Sequence, residues 1–210
     1  MSETAKQIAN CLLQIKAIKI NPHKHFMWAS GWNSPVYCDN RKTLSYPEIR
    51  KLIYATFAEK IKEKYADCDV IAGVATGAIA HGVLVAEALD KPFVYVRSSK
   101  KSHGMENLIE GELAENSRVV VIEDLISTGG SSLAAVEAIR KAGCKTLGML
   151  AIFSYEFDVA TKSFADANCE LTTLCNYTTL LSEAVKCEYI TAQDIEIINN
   201  WRQSSETWKK

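Results

Sequence analysis

The stretch that decides the fold is residues 119–132, Val-Val-Val-Ile-Glu-Asp-Leu-Ile-Ser-Thr-Gly-Gly-Ser-Ser. Four branched apolar residues in a row indicate a strand that is buried on both faces, as in a parallel sheet. The apolar spacing of residues 133–140 predicts a helix that packs on this sheet. We expect Glu123 and Asp124 where the strand ends, followed by a loop of hydroxyls and glycines at the helix N-terminus.

The loop between this strand and this helix has the features of a phosphate-binding site. At a helix N-terminus, free backbone N–H groups and the positive end of the helix dipole attract an anion. Gly129 and Gly130 let the backbone approach that anion closely, and nearby hydroxyls add hydrogen bonds. The hydroxyls belong to Ser127, Thr128, Ser131 and Ser132. The loop has neither the Gly-Lys-Ser/Thr of a Walker loop nor the Gly-x-Gly-x-x-Gly of a dinucleotide fold.

The two acids distinguish this loop from a simple phosphate site. Glu123 and Asp124 would repel a phosphate, so we expect them to face sugar hydroxyls or a metal ion. A phosphate close to a diol describes a ribose 5-phosphate. The segment resembles the phosphoribosyl pyrophosphate (PRPP) motif of the type I phosphoribosyltransferases. The alternative is a sheet strand that ends in a polar helix cap. The resemblance implies that the PRPP-binding residues of this segment are Glu123, Asp124, Leu125, Ile126, Ser127, Thr128, Gly129, Gly130 and Ser131.

Length and charge limit the classes of protein to which the chain can belong. At 210 residues, 48% of them hydrophobic, it is most simply one globular domain. The formal net charge of −1 gives no general attraction for nucleic acid or for an anionic membrane. No apolar run is long enough to span a membrane, and the polar N-terminus is unlike a signal peptide, so we expect a cytoplasmic protein. Seven scattered cysteines without a Cys-x-x-Cys pair predict reduced thiols.

Strands and helices alternate along the rest of the chain. Apolar spacing predicts a helix over residues 3–20 and a second helix from Pro47 to about Tyr65. A buried strand at residues 70–75 and a helix at residues 79–89 follow, and the same order recurs towards the C-terminus. This alternation predicts an α/β fold with a doubly wound, mainly parallel sheet.

Residues 25–41 carry a second resemblance. They run His-Phe-Met-Trp-Ala-Ser-Gly-Trp-Asn-Ser-Pro-Val-Tyr-Cys-Asp-Asn-Arg and predict two short strands around a Ser-Gly turn. The order of an aromatic residue, Ser-Gly, Ser-Pro, Tyr and Asp-x-Arg is similar to that of the orotate phosphoribosyltransferases. In that family the segment forms part of a small hood over the base site. The resemblance implies a hood of about residues 1–45, with C-terminal contributions, on a core of about residues 46–210 within one domain. An aromatic hairpin that only closes the core is the alternative.

Residues 97–111 form a long loop without apolar periodicity, and four of the first seven residues are basic. A loop of this length inside a compact domain is usually functional, although a solvated surface loop is the alternative. The pattern of Arg97, Lys101, His103 and a glycine, followed by Glu-Gly, resembles the flexible catalytic loop of orotate phosphoribosyltransferases. The resemblance implies that Arg97, Lys101 and His103 bind the pyrophosphate part of PRPP.

Together these resemblances imply an activity and its site residues. The chain is expected to transfer phosphoribosyl from PRPP to orotate, which gives orotidine 5′-monophosphate and pyrophosphate in pyrimidine biosynthesis. Lys101 and His103 are alternative donors of a proton to the departing pyrophosphate. The implied catalytic residues are Lys101, His103 and Asp124. The implied orotate-binding residues are Ser127 and Tyr37.

The family also implies a cofactor and a quaternary structure. Mg²⁺ is expected to be carried by PRPP, without direct protein ligands. The catalytic loop is expected to reach across to the site of a neighbouring subunit, which makes the chain a homodimer. Its partners would be PRPP and orotate, with neither nucleic acid nor a membrane among them.

The sequence departs from the fuller family pattern at positions where the family often has a cation. The positions are Ala29 before the Ser-Gly turn, Ser98 after the loop arginine, Thr76 and Gly77 in the pyrophosphate loop, and Tyr155 near an orotate-binding arginine. These absences leave the contacts to the orotate carboxylate and to pyrophosphate without an obvious source of charge.

Two other functions are compatible with the central motif. A purine-base phosphoribosyltransferase would share it, but would not be expected to combine the basic loop with the hood segment. A PRPP-sensing regulator would bind without turnover, but would usually carry a DNA-binding domain, and no basic helix-turn-helix pattern is visible.

Overall fold

A six-stranded sheet lies at the centre of the fold in the computed structural model, which describes residues 2–28, 30–97, 108–205 and 207–208. The strands are β1 (Ile18–Ile20), β2 (Phe26–Met27), β3 (Asn33–Ser34), β4 (Val36–Cys38), β5 (Val70–Val74), β6 (Phe93–Val96), β7 (Ile109–Glu110), β8 (Arg118–Ile126), β9 (Lys145–Ser154) and β10 (Leu171–Asn176). The central sheet has the order β10-β9-β8-β5-β6-β7. All its neighbouring strands are parallel except β6 and β7, which are antiparallel.

Helices cover both faces of this sheet. The helices are α1 (Glu3–Gln14), α2 (Pro47–Lys64), α3 (Ile79–Leu89), α4 (Gly130–Lys141), α5 (Asp158–Asp166), α6 (Tyr177–Lys186) and α7 (Asp194–Gln203). The apolar sides of α1, α2, α3 and α6 pack on one face, and those of α4 and α5 pack on the other. The predicted α/β fold with a doubly wound, mainly parallel sheet is thereby confirmed. Within the described ranges, no helix is apolar over a length that would cross a bilayer.

Strand β8 is buried on both faces, as the apolar run predicted. Val119 and Val121 face the cluster beneath α4 and α5, whereas the residues that alternate with them face the opposite cluster. The strand is longer than expected, because its pairing with β9 continues as far as Ile126, which lies opposite Ser154. The expectation that the acids follow the strand was therefore wrong, since Glu123 lies inside β8 and opposite a residue of β9.

The expectation of one helix over residues 3–20 was also wrong. Helix α1 ends at Gln14, and Lys16 adopts a positive φ of 54° that no helix continues through. Ile18 and Ile20 are buried on either side of an exposed lysine, which is the alternation of a strand. They form β1, which pairs antiparallel with β4.

The predicted hairpin at residues 25–41 is present as β2 and β3, an antiparallel pair. The C-terminal helix α7 packs against this region, because Trp201 is buried and its Nε1 donates to Asn33 O at 2.9 Å. Trp28 adds ring contacts to Trp201 and Tyr155, with centroid distances of 5.6 and 4.9 Å. The division into a hood of about residues 1–45 and a core of about residues 46–210 stays a prediction.

The basic loop ends in regular structure. Ile109 and Glu110 form β7, which pairs with β6. We expected the loop to continue without regular structure to residue 111, and this prediction was wrong for these two residues. Arg97 N donates to Leu108 O at 2.8 Å, so the two ends of the loop lie side by side. Residues 98–107, which include Lys101 and His103, lie outside the described residues.

All seven cysteines are unpaired, in agreement with the prediction of reduced thiols. Four of them are buried and behave as small core residues.

Gly129 and Gly130 provide a matched pair for testing the conformation of the loop before α4. Gly129 has a φ of +85°, and a Cβ atom there would lie 2.9 Å from Phe164 Cε2. A Cβ atom on Gly130 would meet no atom within 4 Å. We expect Gly129→Ala to lower the free energy of unfolding by about 1–3 kcal/mol, because the left-handed backbone is strained for alanine. Gly130→Ala should change it by less than about 1 kcal/mol. Urea denaturation measures both, and equal losses would contradict this loop conformation.

Candidate active site

A polar cavity of about 450 Å³ lies at the C-terminal ends of β5 and β8. Parallel strands commonly bind ligands at this edge of a sheet, where the loops that follow them meet. The cavity is lined by Cys38, Asp39, Arg41, Val74, Ala75, Thr76, Gly77, Glu123, Asp124, Leu125, Ser127 and Ser131. The cavity thus brings together the carboxyl groups of Glu123 and Asp124, the hydroxyls of Ser127 and Ser131, and the loop at Thr76 and Gly77.

Glu123 is held almost entirely inside the protein at the floor of this cavity. Its Oε2 accepts a hydrogen bond from Ser132 Oγ at 2.8 Å, and its Oε1 accepts one from Asp124 N at 2.9 Å. Burial, together with the adjacent Asp124 carboxylate, raises the pKa of Glu123 to about 8. The protonated form of Glu123 is therefore favoured relative to that of an exposed glutamate.

Asp124 is the acid whose carboxylate borders the cavity more openly. Burial raises the pKa of Asp124, while the nearby Arg41 guanidinium acts in the opposite direction. The carboxylate lies directly against Gly77, and a Cβ atom on that glycine would overlap it. A side chain at residue 77 would therefore force the Asp124 carboxylate to move from this position.

The remaining residues of the PRPP motif differ in whether their side chains reach the cavity. Ser127 and Ser131 line the cavity. Ile126 is fully buried in the core, so only its backbone is available to a ligand. Thr128 is half-buried and Gly130 is exposed at the start of α4, and neither lines the cavity. The hydroxyl of Ser132 is bonded to Glu123 and is not available to a phosphate, contrary to the expectation for this residue.

A second, more apolar cavity of about 420 Å³ adjoins the first. It is lined by Met27, Trp28, Tyr37, Cys38, Leu125, Ser127 and Tyr155. The two predicted orotate-binding residues, Ser127 and Tyr37, therefore line the same cavity. Cys38, Leu125 and Ser127 belong to the walls of both cavities, so Ser127 lies at their junction.

Arg97 lies apart from the described walls of the two cavities. Its Nη1 is 3.3 Å from Glu110 Oε1, an ion pair between the end of β6 and β7. The other two basic residues of the predicted loop lie outside the described residues. The structure thus leaves the proposed pyrophosphate contacts of this loop as predictions.

Asn40 is a site residue for which the sequence analysis gave no role. It is buried, and its Nδ2 donates to Asp124 O at 2.6 Å, which ties the segment after β4 to the acidic strand end. Thr43 Oγ1 donates to Asn40 O at 2.6 Å and lies 2.9 Å from His81 Nε2. Burial lowers the pKa of His81 to about 4, so a neutral ring completes this chain. The Asp-x-Arg motif contained Asn40, but no local signal showed that its amide turns inwards.

Glu123 makes the stability of the protein dependent on pH. Its pKa is raised to about 8 in the folded protein, against 4.5 as the ordinary value. The folded state therefore keeps a proton that the unfolded chain has lost, and this contribution to stability disappears as the pH rises through about 8. We expect the free energy of unfolding of the wild type to fall between about pH 5 and pH 8 relative to that of Glu123→Gln.

Urea denaturation at several pH values measures this difference. Glu115→Gln at an exposed position is the matched control and should follow the wild type. Parallel pH profiles for Glu123→Gln and the wild type would show that Glu123 is ionised in the folded protein.

Comparison with known proteins agrees with this geometry. Residues 42–176 match the model of the phosphoribosyl transferase domain family. The chain is 56% identical over 208 residues to the orotate phosphoribosyltransferase of Porphyromonas gingivalis, covering 99% of each chain. It is 55% identical to the orotate phosphoribosyltransferase of Phocaeicola vulgatus, over 100% of this chain and 99% of the relative.

A solved structure gives the same result for the fold. The orotate phosphoribosyltransferase of Aeropyrum pernix matches with a TM-score of 0.76 at 27% identity, over 87% of this chain and 99% of that one. The chain belongs to the orotate phosphoribosyltransferases, the pentosyltransferases of pyrimidine biosynthesis within the type I phosphoribosyltransferase family.

Proposed function

We propose that PRPP binds in the first cavity and orotate in the second, and that the phosphoribosyl group is transferred beside Ser127. The observation that carries this proposal is the wall of Cys38, Leu125 and Ser127 that the two cavities share. A sugar in the first cavity has its anomeric carbon next to a base in the second. Transfer then requires no large movement of either substrate.

The 5-phosphate of PRPP is assigned to the loop of residues 127–131. Helix α4 is 12 residues long and begins at Gly130, so its first N–H groups have no partner within the helix. These donors and the helix dipole favour a phosphate at this position. The hydroxyls of Ser127 and Ser131 border the same space and supply further hydrogen bonds.

Asp124 is assigned to the ribose. Its carboxylate faces the cavity beside the glycine-rich loop, where a sugar whose phosphate lies on that loop would place its diol. As the bond to pyrophosphate breaks, the anomeric carbon gains positive charge, and a nearby carboxylate stabilises that charge. Glu123 borders the same cavity, and its contact with the sugar is part of the proposal.

Mg²⁺ fits this cavity as an ion carried on the pyrophosphate of PRPP. Asp124 offers carboxylate oxygens at the wall, the ligand type that Mg²⁺ prefers alongside water and substrate phosphates. Among the residues with described positions, no group of three or more His, Cys, Asp or Glu side chains is arranged to hold a metal by itself. When bound, the ion neutralises negative charge on the leaving pyrophosphate.

The basic loop is assigned to the pyrophosphate. Arg97, Lys101 and His103 would bind its oxygens as negative charge accumulates there, and closure of the loop would exclude water. Lys101 and His103 are the candidates for protonating the leaving group. The resemblance further supports a homodimer in which this loop serves the neighbouring site.

Orotate is assigned to the second cavity. The rings of Trp28, Tyr37 and Tyr155 provide apolar surface for a planar base. Ser127 supplies a hydroxyl at the end of the cavity nearest the ribose. Base specificity then depends on polar contacts at the rim.

A base panel tests the proposed assignment of the cavities and the reaction together. The purified protein is incubated with PRPP, Mg²⁺ and orotate, uracil, adenine or hypoxanthine, and nucleotide formation is followed. We expect turnover of orotate in preference to the other bases and none without Mg²⁺. Turnover of a purine base but not of orotate would contradict the specificity.

Lys101→Ala tests whether the loop acts in the transition state. We expect kcat to fall by about 100-fold or more, in the range of lost general acid catalysis, while the Kd for PRPP rises by less than about threefold. Lys100→Ala removes the same charge from the adjacent position and should lower kcat far less. Equal losses in kcat and in PRPP affinity would instead mean that Lys101 only holds the substrate.

A further inference from the structure

The first cavity has an unusual balance of charge for a site that binds a polyanion. Its described wall holds three carboxylates, those of Asp39, Glu123 and Asp124, and a single cation, Arg41. PRPP carries a phosphate and a pyrophosphate, so binding by this wall needs positive charge close to both groups. The N-terminus of α4 is assigned to the phosphate, so Arg41 is the side-chain cation of this described wall that is available to the pyrophosphate.

The loop on the pyrophosphate side cannot supply positive charge itself. It contains Thr76 and Gly77, and residues 73–79 include no lysine or arginine. A side chain on Gly77 would overlap the Asp124 carboxylate, so a lysine at this residue is incompatible with the observed position of the acid. Thr76 offers a hydroxyl but no charge. Positive charge for the pyrophosphate therefore comes from other segments of the chain, the basic loop assigned above among them.

Arg41 reaches the same cavity from the 3₁₀ segment Asn40–Ser45 and is oriented by Asp39. Its Nε lies 2.7 Å from Asp39 Oδ1, and its Nη2 lies 3.1 Å from Asp39 Oδ2. This paired geometry fixes the plane of the guanidinium and uses two of its five N–H donors. The Nη1 group makes no hydrogen bond to any described residue, so its donors are available to a ligand in the cavity.

The neighbouring charges support a role for Arg41 at this wall. The pKa of Asp39 is lowered, chiefly by its hydrogen bond from Arg41, so Asp39 stays ionised and the pair stays intact at neutral pH. Arg41 is thus oriented by Asp39 at the same wall that carries Asp124, the acid assigned to the ribose.

We propose that Arg41 binds the pyrophosphate of PRPP and supplies positive charge that the loop at Thr76 and Gly77 lacks. Asp39 is the positioning residue that presents the guanidinium to the cavity. The inference rests on the proposed binding of PRPP in the first cavity. It adds Arg41 to the proposed pyrophosphate subsite, beside the backbone and hydroxyl of the loop at Thr76 and the basic loop assigned above.

The test compares Arg41→Gln with Lys42→Gln. Both variants remove one positive charge from the same segment, but Lys42 Nζ donates to Lys16 O and does not line the cavity. We expect Arg41→Gln to raise the KM for PRPP, and the KM for pyrophosphate in the reverse reaction, by roughly 10-fold or more, the range for a lost hydrogen bond to a charged group. The KM values for orotate and orotidine 5′-monophosphate should stay within about twofold, and Lys42→Gln should resemble the wild type.

Arg41→Lys separates charge from geometry. Lysine keeps the charge but cannot make the paired contact with Asp39. We therefore expect the KM of Arg41→Lys for PRPP to lie between that of the wild type and that of Arg41→Gln. Asp39→Asn should also raise the KM for PRPP, because the guanidinium loses its orienting partner.

Three results would overturn the inference. A rise in the KM for orotate alone would place Arg41 in the base cavity, and KM values like those of Lys42→Gln would make it a solvated surface residue. A fall in Tm with all KM values raised alike would make its role structural. Failure of the wild type to use orotate would instead contradict the proposed function, so the two failures are distinguishable.

Discussion

The hydrogen bond from Ser132 Oγ to Glu123 Oε2 is the contact on which the geometry of the site depends. It joins the end of β8 to the first turn of α4, and both residues are nearly inaccessible to solvent. The loop of residues 127–129, between the last residues of β8 and the first turn of α4, is therefore fixed on both sides before any ligand binds. Because a buried acceptor without a partner is costly, the closed arrangement of strand, loop and helix is favoured over alternatives. Donors that are fixed in advance need no reorganisation during the reaction.

A second set of contacts connects this loop to the N-terminal region. Asn40 donates to the backbone of Asp124, 84 residues away in the sequence. Thr43 and His81 extend the connection to α3, which follows the loop opposite the acids. The wall that carries Cys38 and Arg41 is thereby held against the acidic end of β8. Because these hydrogen bonds hold the two segments together, the two cavities share a wall at Ser127, although the residues that line them are far apart in the sequence.

The sequence predicted the parts of the fold that local patterns determine. The apolar run of β8, the start of α2 at Pro47 and the small-residue turn before α3 each carry a signal within a few residues. The helix over residues 3–20 was wrong because its apolar spacing suits a helix and a strand equally well, and only pairing with β4 selects the strand. The position of Glu123 inside β8 likewise depends on β9.

The candidate site was predictable as a motif but not as a set of contacts. The hydroxyls and glycines of residues 127–131 indicated a phosphate loop, and Ser127 and Tyr37 do line one cavity. No local pattern showed that Ser132 would be bonded to Glu123, or that Asn40 would reach Asp124, because each contact depends on how distant segments pack. The sequence analysis likewise gave Arg41 no role, although it lines the first cavity.

The placement of carboxyl groups at a polyanion site has a physical rationale. Burial raises the pKa of Glu123 to about 8 and also raises that of Asp124, so the pair carries less negative charge than two exposed acids would. Repulsion of the incoming pyrophosphate is reduced accordingly. When positive charge develops on the ribose in the proposed reaction, the Asp124 carboxylate stabilises that charge more strongly in the transition state than in the ground state. Positive charge for the leaving group comes from other segments, so the two ends of the breaking bond are stabilised independently. A fixed lysine beside Asp124 would instead neutralise the acid before the reaction begins, and Gly77 keeps that position empty.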